Sequence, residues 1–254
     1  MVRTAWYELT CSLVIREFKG RYRRTILGPL WVVMQPTLYL LIFLMLRSIL
    51  SIESDGPPYA LFAFAGLVPW TLFTNTITRA GQSVFSNASI LKKMAFPRII
   101  LPTSAFVSCL LEFGIGLVVL LVLMACYGYL PGLQALWVIP LSLGVGILGL
   151  GVSLTVAAFG TFKQDILVAV PLLLQLVMFA CPILYPLERV PDRWMDAYCL
   201  NPMVGLLEGI RGALLHNQAP EASMIVLGLP VLAVIWFIGL PLYGRCSQYF
   251  ADVL

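Results

Sequence analysis

Residues 16–46 read "REFKGRYRRTILGPLWVVMQPTLYLLIFLML". Five cations fall in the first nine positions, Arg16, Lys19, Arg21, Arg23 and Arg24. Gly28-Pro29 then interrupts any continuous helix, because proline lacks a donor and restricts the residue before it. Beyond Pro29 the stretch is almost wholly apolar. A basic segment set directly against an apolar one is the signature of a membrane–water boundary, where lysines and arginines stay at the headgroups on the cytoplasmic side.

The rest of the chain repeats the apolar half of this pattern. Of 254 residues, 60% are hydrophobic and 11% charged, whereas soluble domains carry roughly a quarter charged residues. Runs of about 20 apolar residues, enough to cross a hydrocarbon core of roughly 30 Å, recur along the chain. The sequence predicts an all-α polytopic membrane protein with six transmembrane helices, at about 30–50, 58–78, 99–126, 133–160, 166–185 and 223–243. The alternating ten-residue pattern of a membrane barrel is absent from it.

Residues 4–24 predict an interfacial helix. Tyr7, Cys11, Val14, Ile15, Phe18 and Tyr22 share one face, and Glu8, Ser12, Arg16, Lys19 and Arg23 a neighbouring one. Counting cations with the N-terminus inside puts Arg3, Arg16, Lys19, Arg21, Arg23, Arg24, Arg79, Lys92, Lys93, Arg98, Lys163 and Arg245 on the cytoplasmic side. Arg47, Arg189, Arg193 and Arg211 remain outside, twelve against four, so both termini are expected in the cytoplasm. The same bias accounts for the net charge of +4 without nucleic acid as a partner.

The segment 186–222 is expected outside, with Asn201 as a helix N-cap and Pro202 in the first turn. "MVGLLEGIRGALL" after them is too short to span and predicts a re-entrant or interfacial helix. Gly205, Gly209 and Gly212 give it a small-residue face, and Glu208 is placed to pair with Arg211. Ser142/Gly146 and Gly149/Ser153 in the fourth span allow close helix packing. Cys126 and Cys199 could both face the oxidising side, which leaves a disulfide open.

Catalytic equipment is thin. The single histidine, His216, has no metal-ligating cluster around it, and no phosphate-binding loop is present. Glu112 is the most deeply placed charge, either a functional group or a bond to a neighbouring helix. The loop "SNASILKKMAFPRIILP", 86–102, reads as a short basic helix ended by Phe96-Pro97, either an anchor or a docking element for a cytoplasmic partner. Tyr39 and Phe43, one turn apart in the first span, either face lipid or line a conduit in which aromatic faces stack on sugar rings.

With these residues in hand, "RYRRTILGPLWVVMQPTLYLLIF" resembles the start of the permease subunits of ABC-2 type polysaccharide exporters, the family that exports O-antigen, teichoic acid and capsule. The likeness continues, in order, through "AFAGLVPWTLF", "SILKKMAFPRIILP" and "FACPILYPLERVPDRWMDAYCLNPMVGLLEGIRGALL". The resemblance implies a homodimeric channel in the bacterial inner membrane, with no cofactor of its own. A separate ABC ATPase dimer holding ATP and magnesium would drive a lipid-linked glycan outward. By position, Ser89, Leu91, Lys92, Lys93, Phe96 and Asp165 would contact that ATPase; Arg16, Lys19 and Arg23 would guard the cytoplasmic entrance. Tyr39, Phe43 and Phe179 would line the channel, and Tyr185, Asn201, Pro202, Glu208 and Arg211 would form the outer gate. Where the family often has an Arg-Asp pair after an Asn, "GTFKQDI" keeps Asp165 and offers Lys163 and Gln164. The chain ends soon after the sixth span, so no carbohydrate-binding domain is expected on it; one, if it exists, would belong to the ATPase. The alternatives are an ABC-2 exporter of a small hydrophobic drug or lipid, a membrane-embedded glycosyl or phosphatidyl transferase, and a channel or scaffold working without ATP.

Overall fold

The computed structural model describes residues 2–23, 25–50, 57–94 and 96–253. Arg24, and the side chains of Arg3 and Arg47, lie outside the described residues. Eleven α-helices occur in this order among the described residues: α1 (Val2–Tyr22), α2 (Trp31–Leu50), α3 (Tyr59–Ser86), α4 (Ala88–Leu91), α5 (Ile100–Cys126), α6 (Val138–Gly160), α7 (Gln164–Val177), α8 (Asp192–Cys199), α9 (Pro202–Leu215), α10 (Ala222–Ser247) and α11 (Phe250–Val253). Helices are what an apolar solvent demands, since each satisfies its own backbone donors and acceptors.

Five of the apolar segments are long enough to cross a membrane: 28–45, 59–86, 100–126, 133–160 and 222–247. The remaining one, α7 with a following 3-10 turn, is an apolar helix of 17 residues, Gln164–Ala180. At 1.5 Å per residue it reaches about 26 Å, short of a hydrocarbon core of roughly 30 Å. It stops because Cys181 turns extended and Pro182 comes next.

The bundle is built around α3, whose residues are buried along most of its length. It packs on α5 and α6, with α10 behind α6 and α2 on its other side. Gly149 of α6 lies against the Phe73 carbonyl and Thr76 of α3, so the small residues of the fourth span serve packing within the subunit.

Polar and apolar periodicity sort α1 differently from the single face expected for it. Leu13 and Val14 are buried, with Trp6 and Leu9 packed beside them, whereas Tyr7 and Ile15 point outward with Arg16 and Lys19. Leu13 shares one cluster with Val84, Leu91, Ile100, Leu154, Tyr243 and Phe250. That cluster joins the N-terminal helix, the 86–98 loop and the C-terminal helix at one end of the bundle. Within the loop, the helical part is one turn, α4, followed by turns and extended backbone.

At the other end, Asn201 caps α9 by accepting a hydrogen bond from the Met203 amide at 3.1 Å. α9 is not a surface cap. Most of its residues are buried, and it packs on α3, α6 and α10. Gly205 lies so close to α10 that an added Cβ would sit 2.8 Å from the Met224 carbonyl oxygen. The six cysteines are free; Cys126 is exposed and Cys199 buried.

Candidate translocation cavity and its gate

The candidate site begins at the Gly28-Pro29 corner. Gly28 has φ +51°, a backbone conformation that costs glycine little and other residues more. The corner turns α1 back from α2 and lays the C-terminal turn of α1 beside α5. There the carboxylate of Glu112, 3% exposed, accepts from three groups. Arg21 of α1 and Arg79 of α3 each form an ion pair with it, and the Tyr22 hydroxyl donates to it at 2.7 Å. A buried carboxylate needs such partners, because removing an ion from water costs several kcal/mol unless it is paired and hydrogen-bonded. Burial, and next the Glu112 carboxylate, hold the Tyr22 phenol above its ordinary range, so it remains a donor.

Behind this cluster lies a cavity of about 610 Å³ bounded by α1, α2, α3 and α5. Arg21, Tyr22, Arg79 and Glu112 form its charged end, and Trp31, Gln35, Tyr39, Thr71 and Asn75 line its walls. A second cavity of about 220 Å³ continues between α2, α3 and α7, sharing Gln35, Tyr39, Thr71, Asn75 and Arg79 and adding Thr74, Thr78 and Gln175. Thr71, Thr74, Asn75, Thr78 and Arg79 recur at helical spacing, so α3 presents a polar stripe within an apolar span. Amides and hydroxyls beside aromatic faces can meet a hydroxyl-rich ligand. Arg21 also pairs with Glu17 at 3.5 Å, so two guanidiniums meet two carboxylates at the charged end.

Tyr39 lines both cavities. Phe43 stacks on it with ring centroids 6.2 Å apart but is 5% exposed and packed in the core. Phe179 is 58% exposed beyond the end of α7 and lines neither cavity. Arg16, Lys19 and Arg23 are exposed on α1, and Arg16 donates to the Asn87 side chain just before α4. The cation of α1 that lines the cavity is Arg21, a residue the sequence grouped with the membrane anchors. From sequence, Arg79 reads only as a topology signal, and Gln35, Thr71, Asn75 and Gln175 escape notice. A polar residue every third or fourth position of the second span is the available sign.

Ser89, Lys92, Lys93 and Asp165 are exposed, while Leu91 is buried and Phe96 half-buried against the cluster that holds Leu13. Leu91, Lys92, Lys93, Met94, Phe96 and Arg98 line a separate hollow of about 320 Å³, where the Arg98 Nη1 is buried without a hydrogen-bond partner. Among the proposed outer-gate residues, the Tyr185 hydroxyl meets the Tyr198 hydroxyl at 2.9 Å and donates to the Phe179 carbonyl at 3.0 Å. The Glu208–Arg211 pair forms at 2.8 Å. Arg211 is 2% exposed and also donates to the carbonyls of Phe62, Pro182 and Ile183, with its guanidinium 3.7 Å from the Phe62 ring centroid.

Long apolar helices around a polar cavity, with a surface helix clasped at one end, define a polytopic helical membrane protein. The sequence profile of the ABC-2 type transporter family matches residues 8–215, and the chain belongs to that family. It is similar to "O-antigen export system permease protein RfbA" of Myxococcus xanthus, 31% identical over 250 residues, covering 96% of this chain and 94% of the relative. A protein of the same description from Klebsiella pneumoniae is 28% identical over 98% of this chain and 95% of its own. "Polysialic acid transport protein KpsM" of Escherichia coli is 24% identical over 91% of each. Membership makes this chain the membrane permease component of a transporter, not a catalyst, and implies a partnering ATPase subunit.

Proposed function

We propose that this chain is the channel subunit of an ATP-driven exporter that moves a lipid-linked polysaccharide of the O-antigen or capsule type from the cytoplasm across the bacterial inner membrane. The observation that carries the reading is the lining of the two adjoining cavities by Gln35, Tyr39, Thr71, Asn75 and Gln175 inside otherwise apolar spans. Polar groups within a membrane are costly and mark a substrate path. Hydroxyl, amide and aromatic groups suit a sugar chain better than a hydrophobic drug. The relatives named for O-antigen and polysialic acid transport support the same substrate class.

The path is open on the side of α2 and α7, where Leu38, Ile42, Leu172 and Leu176 are exposed. We assign that side to a second copy of the chain, so that two grooves face each other. Both termini and the 86–98 loop are assigned to the cytoplasmic side, in keeping with the cation count and with their shared cluster. An ATPase dimer would dock at the hollow around Lys92, Lys93 and Arg98, whose cations suit an acidic surface. Closure of that dimer would push on the loop, and the Arg16–Asn87 bond would pass the push to α1.

The test is export in cells carrying Thr71→Leu and Asn75→Leu together. Surface polysaccharide should disappear and its lipid-linked precursor accumulate inside, while the ATPase still co-purifies with the chain. Unchanged surface polysaccharide would overturn the reading.

A further inference from the structure

Glu112 sits at the end of the transport path rather than along it, yet it binds three side chains from two other helices. The arrangement has an asymmetry. Arg79 belongs to α3, the buried centre of the bundle. Arg21 sits in the last turn of α1, shortly before Leu27-Gly28-Pro29, on a helix whose opposite face is exposed. Arg21 also has a second acid within reach, Glu17 of its own helix at 3.5 Å.

We propose that Glu112, Arg79 and Arg21 form a latch that holds the C-terminal end of α1 over the cavity, with Arg79 as the fixed counter-ion and Arg21 as the one that leaves. Breaking a buried ion pair is ordinarily expensive because it strands a charge. Here neither side is stranded. When Arg21 departs, Glu112 keeps Arg79 and Arg21 keeps Glu17. The Tyr22 hydroxyl is a second strap that lets go in the same movement. The latch is thus a two-state element whose open form has no orphaned charge, as a reversible gate requires. The trigger, and only the trigger, rests on the reading of the 86–98 loop as the ATPase contact: Arg16 ties α1 to Asn87, so displacing the loop pulls on the latched helix.

The experiment uses the full chain with its ATPase in lipid nanodiscs. Spin labels go at Gly20→Cys, an exposed position where an added Cβ meets nothing within 4 Å, and at Ser86→Cys, with Cys11, Cys126 and Cys246 changed to Ser. The distance between labels, ATP hydrolysis without substrate, and export are measured together. Arg21→Gln with Tyr22→Phe should shift the closed-to-open ratio about tenfold or more toward a longer distance, the loss expected of a charge-assisted hydrogen bond. Arg79→Gln should lower the yield of folded complex, because the buried carboxylate then depends on the partly exposed Arg21 and on Tyr22 alone, and adding Glu112→Gln should restore it by removing the buried charge. An unchanged distance distribution in Arg21→Gln/Tyr22→Phe would overturn the latch, and so would Arg79→Gln without loss of yield. A shifted distance with unchanged hydrolysis and export would support the latch and overturn the assignment of α1 to the transport entrance.

Discussion

Two arginine sites, one with a buried guanidinium and one gathered around a buried carboxylate, stand in different parts of the bundle and are built from different materials. Arg211 donates to the carbonyls of Phe62, Pro182 and Ile183 and pairs with Glu208 one turn away on its own helix. Its acceptors are mostly backbone, fixed in place by α3 and by the irregular chain after α7. At the Glu112 site every partner is a side chain, and the helices that supply them differ greatly in how firmly they are held. Backbone acceptors cannot change rotamer or leave, so the first site behaves as a rivet. Side chains from a buried helix and a surface helix can part company, so the second can open. The difference teaches where this protein is rigid and where it is able to move.

The comparison is broken most easily at the rivet. Arg211→Ala should cost about 3–5 kcal/mol, because it removes the forked donor and leaves carbonyls and Glu208 unmet in a buried place. Thermal unfolding in detergent and folded yield would show it, and Arg211→Lys should recover little, since an ammonium cannot span three carbonyls. A loss below about 1 kcal/mol would mean the site is no rivet. Next is Arg79→Gln, expected to cost about 2–3 kcal/mol by weakening the neutralisation of Glu112, with most of it recovered in Arg79→Gln/Glu112→Gln. Gly66→Ala tests the rivet from its other side. The new Cβ would lie 2.6 Å from the Arg211 Nη2, and overpacking of this kind costs about 1–3 kcal/mol. Smaller still is Asn201→Ala, which deletes the α9 cap for about 1 kcal/mol.

The rivet was largely legible in the sequence and the latch was not, for physical reasons. Asn201-Pro202 is a local capping signal, and Glu208 and Arg211 are one turn apart on one helix, so both follow from spacing alone. What spacing could not supply was burial: Arg211 counts among the outer cations, and only the packing of α9 against α3 takes it out of water. The latch joins residues 21, 79 and 112, with no local pattern to link them. Periodicity puts Arg16, Lys19 and Arg23 together on one face of α1 and leaves Arg21 off it, but it could not tell which face turns toward the cavity. Tyr39 and Phe43 show the same limit. One turn apart and chemically alike, one borders the cavities and the other is packed in the core. The long spans were readable because hydropathy needs no partner, and the shorter fifth was readable in kind but not in length, since its end is set by the Cys181-Pro182 break.

The smallest stability effect carries the sharpest distinction. Arg21→Gln should change unfolding by less than about 1 kcal/mol, because Glu112 keeps Arg79 and the Tyr22 hydroxyl, and the Arg21–Glu17 pair that is also lost is partly exposed. Its effect should appear instead in function, as ATP hydrolysis that no longer depends on substrate. A rivet residue changes stability and activity together; a latch residue changes their coupling while the fold stands. If Arg21→Gln destabilised the chain as much as Arg79→Gln does, the two arginines would be equivalent struts, and the Glu112 site would be a second rivet. If the two variants separate, with stability falling for Arg79 and coupling falling for Arg21, the cavity has one wall that is fixed and one that is meant to move.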